Sequence, residues 1–444
     1  MNKQLNYLTL LALFATVLFP SSGIANTLDL MTAYEEAKVR DPELAAARHE
    51  FRAGNQRLQQ SYAANLPQIK LESNWSLNYQ DGSNTEFRME EYPAHNYALT
   101  VSQPLVNAQA LYGVSQAKVY IKQNAVRYTK KRQDFVIRIA EIYFSALAAQ
   151  KSLKVAKAQT SSFQQSYDRS VAQFSVGTTT ITDKLEAKAR LDLAKAEEIS
   201  AENDLAVAMT TLHTMIGLPA ESLADIHEST PLKAFPVENL DQWLTKAKAN
   251  NLDNTIHRHG IRISKLEYHR AVAAHYPTLN LMGSIGYNES RNYFFGERET
   301  KSDEASLTLQ LNVPIFAGRY NRSKTYEARE LKRAQHQVLA MSEEKTAIET
   351  KRAFLDVSNG HTRINALSQA LISHQSSLEA MEDGLRAGVR TNLDILDSKQ
   401  RLFSTQRDYY AARYQYLIDY LRLQLLVGAL NESHIVNMNK LLKN

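Results

Sequence analysis

The sequence predicts an α+β protein that combines very long helices with four β-strands, arranged as two copies of one structural unit. Three observations support this fold class: long stretches lack proline and nearly lack glycine, four short segments alternate apolar and polar residues, and the chain matches itself at a shift near 210 residues. Glycine and proline number only 15 and 10 among 444 residues. This scarcity is typical of long helices and not of turn-rich α/β enzymes.

Composition excludes several classes of protein. The chain is 44% hydrophobic with a formal charge of only +5, so it can build a core and is not of the disordered type. It contains no cysteine, which excludes disulfides, thiolate metal sites, iron–sulfur clusters and thiol nucleophiles. The 52 basic and 47 acidic residues are dispersed, so no nucleic-acid partner is predicted.

The first residues predict export. Lys3 precedes an apolar run at 8–19, and the small-residue site Gly23-Ile24-Ala25 follows, which is the order of a signal peptide. The run is about 12 residues long whereas a membrane span needs about 20, so a retained anchor is the less favoured alternative. Cleavage after Ala25 is therefore expected, and the mature protein should lie outside the cytoplasm.

The rest of the chain contains one pattern twice. Pro67 and Pro104 match Pro277 and Pro314 at a shift of 210, and each pair brackets two short alternating segments. Beyond them the match continues at a shift of 211. Seven positions there are identical in both copies: Gly177/Gly388, Thr180/Thr391, Asp183/Asp394, Leu185/Leu396, Lys188/Lys399, Arg190/Arg401 and Leu191/Leu402. Several matches in order at nearly one shift indicate two structural repeats.

Each repeat contains one very long helical stretch. Residues 107–173 have no proline and a single glycine, Gly113, and between Tyr320 and Gly384 only Gly360 intervenes. About 65 helical residues at about 1.5 Å each form a rod of about 100 Å. Such a rod cannot be the core helix of a globular domain, so coiled-coil packing is predicted.

Four segments alternate with the period of a β-strand, two in each repeat. Their apolar positions are Leu71, Trp75, Leu77 and Tyr79; Tyr97, Leu99 and Val101; Leu279, Leu281, Ile285 and Tyr287; and Leu307, Leu309, Leu311 and Val313. Period two predicts hairpins at about 67–104 and 277–314. A soluble, half-buried sheet alternates in the same way. Strands of about ten residues with aromatic ends also match the dimensions of a transmembrane barrel. Because an exported chain can reach the outer membrane, export favours the barrel over the soluble sheet.

A barrel made from these strands requires more than one chain. Four strands cannot close, and open edges in lipid leave backbone N–H and C=O groups without partners. Two chains would supply eight strands, and three would supply twelve around a lumen. The pattern excludes a membrane-inserted monomer and leaves the number of subunits open.

Further motifs lie in order along the chain. They are Asp41-Pro42-Glu43-Leu44, Asn65-Leu66-Pro67, Phe174-Ser175-Val176-Gly177 with Thr182-Asp183, Val313-Pro314-Ile315-Phe316-Ala317-Gly318, Gly388-Val389-Arg390-Thr391-Asn392-Leu393-Asp394-Ile395-Leu396-Asp397, and Ala412-Arg413-Tyr414-Gln415-Tyr416-Leu417-Ile418. With these motifs the chain closely resembles the TolC family of outer-membrane export ducts, from about Thr27 to Asn437.

The resemblance implies an α+β membrane protein that assembles as a homotrimer. Three chains would share one 12-stranded outer-membrane barrel and a periplasmic tunnel of long coiled-coil helices. The implied divisions are a signal peptide at 1–25, a first repeat at 26–217, an equatorial linker at 218–240, a second repeat at 241–430 and a C-terminal equatorial segment at 431–444.

Function and partners follow from the same resemblance. The protein would be a passive channel of a tripartite efflux pump or type I secretion system, for drugs, toxic small molecules or exported proteins. Its partners would be outer-membrane lipid, a periplasmic adaptor (membrane fusion) protein, and an inner-membrane RND, ABC or MFS transporter. A soluble periplasmic coiled-coil scaffold without a barrel is the alternative.

Acidic residues beside the second turn are the predicted periplasmic gate. Asp394 and Asp397 are three apart at a helix start and share one face, so three copies would present a ring of carboxylates that selects cations. The plainer alternative is that they stabilise the helix dipole. The resemblance favours the gate and implies a latch between Arg390 and Asp183 of a neighbouring helix. Leu385 stands where the best-matched relatives have tyrosine, so the latch lacks a phenolic hydrogen bond.

Both turns are predicted to serve as docking tips. Glycine suits the left-handed backbone that ends helices, which places the turns at Gly177-Thr178 and Gly388-Val389. By resemblance, these tips meet the adaptor and the transporter.

No other pattern predicts chemistry. His257, His259, His269 and His275 cluster, but no histidine pair is spaced i,i+4 and no zinc motif is present. There is also no nucleophile elbow, P-loop or dinucleotide fingerprint. We therefore predict no metal, no cofactor and no catalytic residue. A group of five tyrosines is expected to pack between helices: Tyr409, Tyr410, Tyr414, Tyr416 and Tyr420.

Overall fold

The computed structural model describes residues 27–80, 90–218, 222–227, 232–236, 239–292 and 298–442, and the predicted signal peptide lies outside them. These residues form nine helices and four strands. In chain order they are α1 (Leu30–Arg40), α2 (Pro42–Ala63), β1 (Gln68–Gln80), β2 (Glu90–Val106), α3 (Ala108–Ser175), α4 (Ile181–Ile216), α5 (Leu240–Asn250), α6 (Leu252–Ala273), β3 (Thr278–Asn292), β4 (Arg298–Asn312), α7 (Tyr320–Arg386), α8 (Asn392–Leu426) and α9 (Glu432–Leu442).

Helices α3 and α7 are the predicted rods. They contain 68 and 67 residues, so each is about 100 Å long. Each turns back at its far end into a shorter helix, α4 or α8, of 36 or 35 residues. Helix α3 packs along α4, α6 and α8, and α7 packs along α6 and α8. In the described part of the chain, no helix has both the length and the hydropathy to cross a membrane.

The hairpins of the two repeats have the same register. Gln68 pairs with Ser102 in the first hairpin, and Thr278 pairs with Asn312 in the second, so both partners shift by 210. The strands join into one antiparallel sheet in the order β1-β2-β3-β4. Strands β1 and β4 are therefore the edges of the sheet within one chain.

The helical stretch before each hairpin is broken once, which the sequence reading missed. Asp41 separates α1 from α2, and Asn251 separates α5 from α6. Asp41 has extended backbone, and its side chain accepts a 2.6 Å hydrogen bond from the Leu44 N–H. Asn251 likewise accepts from Asp253 and Asn254. These N-caps start a new helix by satisfying its first N–H groups.

One face of the sheet is apolar, as the alternation predicted. Across the sheet, Leu71 lies opposite Leu99, and Leu99 opposite Ile285. The same face carries Trp75 at 72% exposure and Leu309 at 62%. The opposite face carries polar residues from all four strands, which register places together.

The strands are longer than the ten residues predicted. They contain 13 to 17 residues, or about 43–56 Å at about 3.3 Å each, against a hydrocarbon thickness of about 30 Å. The apolar alternation covers only part of this length. Beyond it the same face becomes charged, with Lys301 and Glu289 paired at 3.6 Å.

The largest core lies around the middle of α3. Phe144 of α3, Leu417 of α8, Ile435 of α9 and Leu30 of α1 are all fully buried there. The residues predicted as a C-terminal equatorial segment thus contribute helix α9 to this core. The described parts of the predicted equatorial linker add Leu223 and Leu232.

The predicted packing of the tyrosine group is confirmed. Tyr410, Tyr414 and Tyr416 are buried, and the other two members lie partly buried against the same core. The Tyr414 hydroxyl donates to Asp225 Oδ1 at 2.6 Å. The Tyr416 hydroxyl accepts from the Phe235 N–H at 2.9 Å. These bonds attach the linker to α8.

Candidate functional site

The far ends of the two rods form equivalent turns. Gly177 and Gly388 have φ of +74° and +76°, a backbone that L side chains avoid. The N–H of Thr178 donates to Gln173 O, and that of Val389 donates to Gly384 O, each at 2.9 Å. These bonds close the C-terminus of each rod as in a Schellman motif. Gly177, Thr178, Gly388 and Val389 are all exposed.

The first turn leads into a capping box at the start of α4. Asp183 Oδ2 accepts from the Thr180 N–H at 3.2 Å and from the Thr180 and Thr179 hydroxyls at 2.7 and 2.9 Å. In return, the Asp183 N–H donates to Thr180 Oγ1 at 3.1 Å. This reciprocal pattern satisfies N–H groups at the helix start.

The second turn repeats the arrangement at the start of α8. Asp394 Oδ2 accepts from the Thr391 N–H at 2.9 Å and from its hydroxyl at 2.8 Å. The Asp394 N–H donates to Thr391 Oγ1 at 3.2 Å. Asp394 therefore occupies the place in its repeat that Asp183 occupies in the first.

Hydrogen bonds to both carboxylates hold them in the charged form. The Thr180 hydroxyl, followed by the Thr179 hydroxyl, lowers the pKa of Asp183 below its ordinary value. For Asp394, the Thr391 backbone N–H is the largest cause of a lowered pKa, and the Thr391 hydroxyl is the next. For Asp394 the positive charges of Arg390 and Arg401 lower the pKa further, so both aspartates stay ionised at the tip.

Asp397 has a partner in the other repeat. Arg190 of α4 donates from Nη2 to Asp397 Oδ1 at 2.8 Å, and from Nε to Glu186 Oε1 at 3.1 Å. Arg190 thus joins a carboxylate of α4 to a carboxylate of α8. The two predicted gate residues therefore differ, because the charge of Asp394 is not offset by a bonded cation whereas that of Asp397 is.

The predicted latch is not made within one chain. Among the described residues, no ion pair joins Arg390 to Asp183, whose carboxylate is already occupied by its own capping box. The exposed Arg390 donates its N–H to Gly384 O at 3.2 Å. Leu385 is partly buried and contributes its carbonyl to the turn, accepting from Gly388 at 3.0 Å.

Two side chains of this region were missed by the sequence reading. Arg190 was not identified as the partner of Asp397. Lys399 is buried between helices, where its ammonium donates to Ser166 Oγ at 3.0 Å and burial lowers its pKa. The signal available was that both residues belong to identical repeat pairs, Arg190/Arg401 and Lys188/Lys399.

The histidine cluster takes no part in this region. His257, His259 and His269 lie on α6, and His275 lies two residues beyond its end. Burial lowers the pKa of His259. Within the described ranges, no group of three or more His, Asp or Glu side chains is placed to hold a metal ion.

Comparison with protein families gives one match over both repeats. The model described as "Outer membrane efflux protein" matches residues 33–218 and 243–429. Among curated proteins, the chain is 28% identical over 434 residues to the alkaline protease secretion protein AprF of Pseudomonas aeruginosa, covering 95% of this chain and 89% of AprF. It is 27% identical over 424 residues to the outer membrane protein TolC of Vibrio cholerae, covering 94% of each.

Solved structures show the same fold. A membrane protein from Pseudomonas aeruginosa superposes with a TM-score of 0.77 at 18% identity, covering 92% of each chain. The outer membrane protein VceC of Vibrio cholerae superposes with a TM-score of 0.74 at 17% identity, covering 90% of this chain and 96% of VceC. Together with the sequence matches, these likenesses confirm the resemblance that the motifs predicted.

Proposed function

Because this chain belongs to the outer membrane efflux protein family, we propose that it is the passive outer-membrane duct of a tripartite efflux pump or a type I secretion system. The observation that carries this proposal is the combination of an apolar, exposed sheet face with rods about 100 Å long. The sheet suits lipid, and the rods suit a tunnel across the periplasm. AprF is named for protease secretion, which supports export of proteins as one use.

Open sheet edges support a homotrimer. Strands β1 and β4 each present unpaired backbone groups in a single chain, and lipid cannot satisfy such groups. Three copies would join β4 of one to β1 of the next and give a 12-stranded barrel with a lumen. The polar sheet face would then line the lumen, and the face carrying Leu309 would contact lipid.

Exposed tips support docking to a periplasmic adaptor and to an RND, ABC or MFS transporter of the inner membrane. Val389 is 75% exposed and Val176 is 71% exposed, at turns fixed by Gly388 and Gly177. Apolar side chains on rigid, protruding turns can insert into a partner's surface without ordering a flexible loop. No catalytic or cofactor site belongs to this proposal, so the transporter would supply the energy.

The proposed gate rests mainly on Asp394. Its cap bonds come from neutral groups and leave a negative charge at the end of the tunnel, whereas Arg190 offsets Asp397. Rings of acidic side chains favour cations. The Arg390–Asp183 latch belongs to the same proposal only as a contact between copies, and Leu385 would add no hydrogen bond to it.

Membrane fractionation and bilayer recording test the duct. We expect the mature protein to resist a carbonate wash of the outer membrane, to be trimeric by detergent-corrected light scattering, and to conduct in planar bilayers. Release by carbonate as a monomer without conductance would overturn the proposal and favour the periplasmic scaffold.

Two substitutions to uncharged amides test the gate. Asp394→Asn keeps a capping oxygen but removes the charge, so cation preference and block by a trivalent cation from the periplasmic side should weaken. Arg190→Gln removes the cation beside Asp397 and should strengthen both. If Asp394→Asn leaves the block unchanged, Asp394 serves only as a helix cap.

A further inference from the structure

Helices α4 and α8 have the same ends but different surroundings. A shift of 211 relates their N-caps, Thr180 and Thr391, and also the left-handed glycines after them, Gly217 and Gly428. The shift therefore pairs the two helices residue by residue. Side chains on equivalent positions should meet equivalent neighbours if both repeats have the same environment.

One row of side chains breaks this equivalence. On α8 the row is buried within the chain, whereas the corresponding row on α4 is apolar and exposed. The pairs are Leu396 at 2% and Leu185 at 59%, Tyr410 at 8% and Ile199 at 60%, and Ile418 at 8% and Val207 at 68% exposure. Exposed apolar side chains that share one helix face mark a surface that another helix can cover.

The contacts that the α8 row makes within the chain indicate which helix covers the α4 row. Leu396 shares a buried cluster with Phe163 of α3, and the Lys151 ammonium of α3 lies 5.2 Å from the ring of Tyr410. The counterpart of α3 in the second repeat is α7. The α4 row therefore fits α7 of a second copy, as the α8 row fits α3 in the same chain.

Charged side chains on the same helices repeat this relation. Within the chain, Arg190 of α4 bonds to Asp397 of α8. At the shift of 211, Arg401 is the equivalent of Arg190, and Glu186 is the equivalent of Asp397. Arg401 is exposed, and its guanidinium has no ion pair among the described residues.

We propose that Arg401 pairs with Glu186 of the partner subunit, as Arg190 pairs with Asp397 inside each chain. In the proposed trimer, on which this inference rests, two arginines and two carboxylates from each copy then form a closed belt around the axis. Arg190 bonds to both Glu186 and Asp397 of its own chain, and Arg401, about one helical turn beyond Asp397 on α8, reaches Glu186 of the partner subunit. Such a head-to-tail contact closes into a ring under rotational symmetry.

The belt shares Asp397 with the proposed gate and does not include Asp394, the gate residue nearer the tip. Asp397 lies six residues beyond Thr391, or about 9 Å along the helix.

Cross-linking between single-cysteine chains tests the pair, since the protein has no native cysteine. Glu186→Cys and Arg401→Cys chains, carrying different tags, are co-expressed and treated with a bifunctional thiol reagent. The reagent must span a longer distance than a disulfide does, because a disulfide cannot join Cα atoms more than about 7 Å apart. We expect a covalent dimer that carries both tags.

Co-expressed Arg190→Cys and Asp397→Cys chains are the matched control. Their contact lies within one chain, so they should give far less mixed dimer, whereas both cysteines in one chain should give an internal link. Charge reversal adds a second readout: Arg401→Glu should lower the trimer fraction in detergent, and adding Glu186→Arg should restore it.

The outcomes separate this inference from the proposed function. The belt is overturned, and the duct is not, if the protein conducts as a trimer but two results are negative. These are that Glu186→Cys and Arg401→Cys chains give no mixed dimer, and that adding Glu186→Arg to Arg401→Glu does not restore the trimer fraction. A native protein that is monomeric and does not conduct overturns the duct, and the belt with it.

Discussion

The two ends of the molecule are held by different forces. At the sheet end, backbone pairing is continuous from β1 to β4 and the apolar side chains point outward, with Leu71 75% exposed. At the tip end, a few side chains bond to the backbone of adjacent turns, as Thr391 and Asp394 do. The stability of the sheet therefore depends on what surrounds its exposed apolar face, whereas the stability of the tips depends on local hydrogen bonds.

The largest expected effect comes from placing a charge on the apolar sheet face. Leu309→Arg should cost about 2–4 kcal/mol if that face meets lipid near the midplane, and Gln310→Arg on the opposite face should cost much less. Leu77→Arg and Asn78→Arg form a second pair in the first repeat. The amount of trimer recovered from the outer membrane measures the cost. Equal losses on both faces would contradict the separation of lipid from lumen.

A backbone change should be next in size, and it acts at the tip. Gly388→Ala forces a side chain into a left-handed conformation at φ +76°, which costs about 1–2 kcal/mol. Gly113→Ala is the control, because a Cβ there meets nothing within 4 Å in the helix α3, and it should stabilise by about 0.5–1 kcal/mol. Thermal unfolding followed by circular dichroism should show shifts of opposite sign.

Loss of a cap should have a smaller effect, confined to one helix start. Thr391→Val removes the hydroxyl that accepts from Asp394 and should cost about 1 kcal/mol. Thr405→Val is the same change in shape, but the Thr405 hydroxyl donates to the Arg401 carbonyl inside α8 and caps no helix start, so little change is expected. Hydrogen exchange of the first turn of α8 measures both. A similar loss of protection in the two variants would argue against the capping box.

Acid should loosen both tips, because their capping boxes depend on charged aspartates. The pKa values of Asp183 and Asp394 are lowered in the folded protein, so their stabilisation is complete above the unfolded value of about 3.9 and is lost as pH falls below it. Hydrogen exchange at both tips should therefore accelerate below about pH 4. Asp394→Asn should remove this pH dependence at the second tip and leave it at the first.

The rods and the alternation were predictable because each depends on neighbouring residues, and the repeats were predictable because the two halves match along the sequence. Alternation with period two shows which residues share one face of a strand, and the absence of proline over 107–173 allows that stretch to form a single continuous helix. The Thr180–Asp183 and Thr391–Asp394 capping boxes are also predictable from their spacing, and Asp394 is at the same time a predicted gate residue. The break at Asp41 was missed, despite an N-cap aspartate followed by proline.

The sequence by itself determined which segments are helix or strand, where the turns fall, and that two halves share one plan. Only the tertiary structure decided that Arg190 pairs with Asp397, that Lys399 is buried, and that the row on α8 is covered while the row on α4 is exposed. The reason is physical. Backbone conformation responds to residues within a few positions, whereas burial and ion pairing depend on which helix lies alongside, a relation that joins side chains about two hundred residues apart.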